Sequence, residues 1–175
     1  TPDADQSRIY GEAEPAYKYS ADGLVATETL AGALAREPGN DVGTYAYTIG
    51  TLDSANSNYS VTLSETSPKF EIKAKEIEIE WADTELVYNG KEQAPEASIK
   101  NKTEVLVGDD EVNVTVSGQK KDVNTADTTY IATASVDNKN YTLKESTAST
   151  AFTIKKAALT VTADAKNITY GDEDV

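Results

Sequence analysis

Carboxylates are the one reactive group that this sequence holds in quantity: 30 Asp and Glu among 175 residues, against 16 Lys and Arg. Two acidic runs, Asp109-Asp110-Glu111 and Asp172-Glu173-Asp174, could offer oxygen ligands to calcium, which takes roughly six to eight of them from loops. Neither run has the alternating acidic spacing and central glycine of an EF-hand loop. A solvated acidic turn is the expected reading, and no metal site is assigned. Two carboxylates can also work as acid and base on a glycosidic bond. That chemistry needs a cleft, and the short loops of this chain leave little room for one. The sequence holds no Cys and no His. Thiolate nucleophiles, zinc–thiolate sites, disulfides and imidazole-based pairs are therefore excluded. No catalytic residue and no cofactor is assigned.

Aromatic side chains are the other candidates. Ten Tyr stand against two Phe and one Trp. Tyr10, Tyr45, Tyr59, Tyr88, Tyr130 and Tyr141 recur at matching positions along the chain, so they are expected to fill cores or pin corners. Tyr suits that role because its ring buries while its hydroxyl reaches a partner. Tyr17, Tyr19 and Tyr47 carry no such constraint. Contact with a glycan ligand would fall to these three and to Trp81. Trp81 is expected on the face opposite Ile77 and Ile79 unless a bulge intervenes, as a contact residue or as the cover of a domain junction. Five Asn-x-Ser/Thr sequons start at Asn58, Asn101, Asn113, Asn140 and Asn167. Two of them sit in a repeated Asn-Tyr turn, whose backbone geometry accounts for them better than glycosylation does.

The elements that must position these residues come in repeats. Asn58-Tyr59-Ser60-Val61 returns as Asn140-Tyr141-Thr142-Leu143, and Phe70-Glu71-Ile72-Lys73 as Phe152-Thr153-Ile154-Lys155, both 82 positions on. Tyr10-Gly11-Glu12 returns as Tyr88-Asn89-Gly90 and Tyr170-Gly171-Asp172. Landmarks that share an offset mark a tandem array. The phase of the array predicts a first unit over residues 1–73 that lacks its first strand. A complete second unit spans 74–157, and the start of a third covers 158–175. The sequence opens at Thr1 with no Met, which is read as a piece of a longer chain.

Within each unit the pattern is that of strands. Glu76–Trp81 alternates strictly, as do Tyr45–Ile49, Tyr59–Leu63 and Val112–Val116, and alternation marks a strand with one buried face. Turn signals fall at Asp22-Gly23, Pro38-Gly39-Asn40, Asn89-Gly90 and Gly108-Asp109. Residues 24–36 are rich in helix formers, yet Leu30-x-Gly32-x-Leu34 favours strand after a short turn. The expected fold is all-β, two tandem Ig-like sandwiches; β-grasp-like repeats, with a helix across 24–36, are the alternative. Residues 158–163 are expected to extend the last strand of the second unit or to dock on an open edge in a neighbouring molecule.

The stretch Ile9–Tyr19, then Leu30-Ala31-Gly32-Ala33-Leu34, Arg36–Tyr45 and Ile49-Gly50-Thr51-Leu52, resembles the MBG domain of the YGX type. That family is found as tandem repeats in large bacterial surface adhesins. The second unit, with Tyr88–Gln93 and Asp137–Leu143, is similar to Ig-like repeats of secreted proteins. Where the family has Asn-Ala-Gly-Thr-Tyr, it reads Asn124-Thr125-Ala126-Asp127-Thr128-Thr129-Tyr130. The resemblance implies a cell-surface or secreted location, a part in an adhesin stalk, and no catalytic residues.

The function expected is a non-catalytic spacer and interaction module, its partners being neighbouring repeats of the same longer chain. A glycan- or mucin-binding domain, or an accessory domain of a secreted carbohydrate-active enzyme, are the alternatives. Net charge is −14, which repels phosphate backbones and argues against nucleic acid. No apolar run approaches the ~20 residues of a membrane-spanning helix, so no membrane insertion is expected of this segment.

Overall fold

Apolar residues at every second position dictate strands with one buried face, and that is how the chain folds. The structure is a computed structural model and describes residues 1–25, 28–54, 58–125, 127–165 and 170. Its strands are β1 (Ser7–Ile9), β2 (Leu30–Ala31), β3 (Ala35–Arg36), β4 (Gly43–Thr48), β5 (Asp53–Ser54), β6 (Lys69–Lys73) and β7 (Lys75–Ile77). Beyond them lie β8 (Ile79–Ala82), β9 (Glu85–Val87), β10 (Glu96–Ile99), β11 (Val114–Ser117), β12 (Tyr130–Val136), β13 (Tyr141–Leu143) and β14 (Ser149–Lys155). One helical turn, α1 (Lys102–Val105), and a 3-10 turn at Glu145–Thr147 complete the described elements. The fold is all-β. No helix crosses the described residues of 24–36; β2 and β3 lie there, separated by Gly32 in the left-handed region at φ +82°.

Two four-stranded sheets carry the fold, in the orders β1-β6-β4-β3 and β9-β14-β12-β11. They match strand for strand. Phe70 faces Tyr45 across β6 and β4, and Phe152 faces Tyr130 across β14 and β12. The parallel edge pairs agree too: Ser7 lies opposite Glu71, and Glu85 opposite Thr153. In the second unit β7 pairs parallel with β13, and β8 antiparallel with β10. The first unit has β2 against β5 and a bridge between Pro2 and Tyr19.

Four expectations need correction. Glu76–Trp81 is not one strand, because the ladder breaks at Glu78 and β7 and β8 pair with different partners. Trp81 does not lie opposite Ile77 and Ile79. All three occupy odd positions, and the Trp81 ring packs with them against the core while its Nε1 donates to the Thr147 carbonyl at 2.9 Å. Tyr59–Leu63, despite its alternation, is not a strand. Its counterpart β13 is held by β7, and among the described residues nothing takes that place in the first unit. Residues 158–163 do not extend β14: they pair with no described strand and lie exposed.

The larger core cluster runs through both units. It joins Tyr10, Leu34, Tyr47, Leu52, Phe70 and Ile72 of the first to Ile77, Ile79, Ile99, Val112, Ala134 and Tyr141 of the second. A smaller cluster of Ala132, Phe152 and Ile154 lies under the second sheet, and Trp81 packs against both clusters. Burying side chains of this size contributes ~1.5–3 kcal/mol each.

Candidate functional site

Two constellations of polar side chains are built into this frame. The first surrounds Arg36 at the end of β3. Its guanidinium grips the Glu14 carboxylate with Nε at 2.6 Å and Nη2 at 2.9 Å, a two-pronged contact. Nη1 donates to the carbonyls of Glu37 and Gly39, and the plane lies 4.6 Å from the centre of the Tyr45 ring. Arg8 adds a third bond to Glu14 at 2.8 Å. The Arg36 bonds hold the Glu14 carboxyl down near 2 against the effect of burial, with help from Tyr17 and Arg8. Such a network fixes the loop that leads into β4.

That network decides where the aromatic candidates stand. The Tyr17 hydroxyl donates to Glu14, and its ring packs edge-on against Tyr47 and Phe70. Burial first, and then the Glu14 contact, push the Tyr17 hydroxyl up to about 12. Tyr47 is buried and its hydroxyl meets no partner among the described residues. Tyr19 is half-buried beside the Pro2 bridge. Tyr17, Tyr19 and Tyr47 thus belong to the packing of the first unit, whereas Trp81 sits in the second; the four form no single platform.

The second constellation joins the units. Tyr10 and Tyr141 both donate to Oδ2 of Asp110, at 2.8 and 2.6 Å, and their rings meet edge-on with centroids 5.6 Å apart. The Tyr141 hydroxyl also accepts from the Val107 amide at 2.8 Å. Beside it the Asn140 side chain accepts from the Val42 amide at 2.8 Å and donates to Asp41 at 3.0 Å. Gly11, at φ +82°, lets the chain pass so close to Val107 that a Cβ there would lie 2.4 Å from its methyl group. Every pairing in this set except Tyr141–Val107 and Tyr141–Asp110 crosses from one unit to the other.

The Tyr10-Gly11-Glu12 turn and the Gly43-Thr44-Tyr45 entry to β4 are thereby placed by packing and by the backbone freedom of Gly11. Residues 1–67 match the family model of the MBG domain (YGX type). No curated protein and no solved structure matches the chain. The MBG domain is a non-catalytic repeat family that occurs in bacterial surface proteins. In the MBG match the Tyr-Gly pair is the element that meets the second unit, so the residues that carry the resemblance also carry the junction.

Asp110 could not be found from the sequence. It stood in an acidic run whose spacing spoke for solvent, and its partners Tyr10 and Tyr141 lie far away along the chain. The second acidic run, Asp172-Glu173-Asp174, and the sequon at Asn167 lie outside the described residues. Among the described residues no cluster of acidic side chains is arranged to hold a metal ion, and no helix is long and apolar enough to cross a membrane. Asn140 is buried in the junction, and its amide bonds to the Asn138 side chain at 3.0 Å, the local turn that the repeated Asn-Tyr pair requires.

Proposed function

We propose that this chain is a load-bearing spacer in the stalk of a secreted or cell-wall-anchored bacterial surface protein, an MBG repeat followed by a looser Ig-like relative, and that it performs no catalysis. The observation that carries this reading is the direction of the terminal strands. In the first unit β1 is parallel to the last strand, β6. In the second, the first strand β7 is parallel to β13, and the last strand β14 is parallel to β9. Tension along the chain therefore loads these pairs in shear, so that several backbone hydrogen bonds must fail together rather than one by one.

The junction supports the same reading. Only Ala74 separates β6 from β7, and so short a link cannot act as a flexible coil. Tyr88 holds in the second unit the place that Tyr10 holds in the first. Tyr10 is 9 % exposed against its neighbour, whereas Tyr88 is 39 % exposed, and a Cβ on nearby Gly90 would meet nothing within 4 Å. That face is shaped for the next unit of an array. Solubility and self-repulsion of such an array follow from the net charge of −14. The glycan- or mucin-binding reading has less behind it, since the aromatic residues named for it serve the packing. Small-angle scattering tests the spacer reading: an elongated pair with a stiff junction is expected, and a pair folded back on itself would overturn it.

A further inference from the structure

Oxidants of the peroxide class, which transfer oxygen two electrons at a time, have few targets in a protein, and this chain lacks the foremost of them. Its 175 residues hold no Cys and no Met, the side chains that peroxide turns into sulfenic acid and sulfoxide. They hold no His either, so the thiolate, thioether and imidazole ligands suited to copper are missing together.

The structure shows what stands in their place. Met is the usual filler of irregular gaps, and a free Cys packs as a small hydrophobe. Both core clusters are instead built from Leu, Ile, Val, Ala and aromatic rings. The polar pins are likewise made without imidazole, by Arg36 on Glu14, by Tyr10 and Tyr141 on Asp110, and by Asn140 on the Val42 amide. The replacement runs through both units, the MBG repeat and its looser relative alike.

One soft ring remains. Trp81 is the chain's single tryptophan and is half-buried. Oxygen transfer to tryptophan falls on the pyrrole half of the indole, and that half is the one tied down, its Nε1 donating to the Thr147 carbonyl at 2.9 Å. The ring packs against both clusters. Tyrosines are attacked far more readily as phenolates than as phenols. Burial, with Glu14 for one and Asp110 for the other, pushes Tyr17 and Tyr141 up to about 12 and so keeps them as phenols. The exposed rings of Tyr88 and Tyr170 need a one-electron catalyst before peroxide can use them.

We propose that this fold is inert to peroxide-class oxidants, and that its one oxidisable side chain, Trp81, is held out of their reach by the packing that joins the two clusters. Met sulfoxide is restored only by a dedicated reductase. A chain without thioether or thiol needs no such repair and keeps its cores where no reductant is supplied. The proposal goes beyond the spacer reading and does not rest on it.

The test treats the full chain with hydrogen peroxide in bicarbonate buffer. Intact mass and melting temperature should stay as they were. Trp81 fluorescence should persist in the folded chain and fade, at the same dose, in chain unfolded in urea. Leu106 is half-buried against the larger cluster, and Leu106→Met, a volume-conserving exchange, should melt near the parent before treatment. After treatment it should carry one added oxygen at sulfur, the peroxide leaving as water, and should melt at a lower temperature. A parent chain that takes up oxygen or melts lower would overturn the proposal. So would Trp81 fluorescence that fades alike in both states, or a Leu106→Met chain that takes up oxygen and melts as before.

Discussion

Tyr10 donates its hydroxyl to Asp110 at 2.8 Å across one hundred positions of sequence, and Tyr141 donates to the same carboxylate oxygen. A single acceptor therefore fixes one ring from each unit. Asp110→Ala leaves two largely buried phenol O–H groups without this acceptor, while Tyr141 keeps its bond from the Val107 amide, and an unmet buried donor costs ~1–3 kcal/mol. The variant should lose about that much or somewhat more in a denaturant titration. Tyr10→Phe, which removes a donor and keeps the ring, should lose less.

Phe70 is fully buried in the cluster that spans both units. Phe70→Ala should cost ~3–5 kcal/mol, a large part of the ~5–15 kcal/mol that a domain of this kind has. Trp81 lies in the second unit and is the chain's one tryptophan, so its fluorescence reports on that unit. With a shared core, the Trp81 transition should move to lower denaturant when Phe70 in the first unit is truncated. A Trp81 transition that ignores the change would show two independent cores.

Stability against pH should have two shoulders. Glu14, through its Arg36 bonds, and Glu78, through Lys144 and Lys100, are held at about 2, below their ordinary 4.5. A depressed carboxyl contributes stability above its unfolded pKa, and that contribution fades as pH falls from 4.5 toward 2. Tyr17 and Tyr141 are raised from 10.0 to about 12, chiefly by burial and then by Glu14 and Asp110. Their contribution is complete below 10 and fades as pH rises toward 12. With no His in the chain, the melting temperature should be flat from about pH 5 to 8. Thermal melts across the range, with tyrosinate absorbance at the alkaline end, check both shoulders.

Much of this structure could be read from period and spacing. The 82-residue offset marked Phe70 and Phe152 as equivalent, and they do take equivalent places, opposite Tyr45 and Tyr130; those two tyrosines stand 85 positions apart, so the pairing itself could not be read from the offset. Alternation alone could not say which strands find partners. Tyr59–Leu63 has the pattern of β13 yet forms no ladder, since pairing depends on a second segment and not on the strand's own sequence. Tyr10 and Tyr88 are the same residue in the same phase, and only the neighbouring unit makes one buried and the other exposed. The role of Asp110 was invisible for a related reason: nothing local distinguishes a carboxylate that solvent covers from one that two distant phenols reach.

The central claim is that the chain bears load through parallel terminal strands. Single-molecule pulling from its two ends measures this directly. Shear loading predicts abrupt, high-force rupture events, each releasing chain at about 3.3–3.6 Å per residue over a stretch the size of a unit. Low-force, gradual lengthening, with strands peeling away one bond at a time, would contradict it.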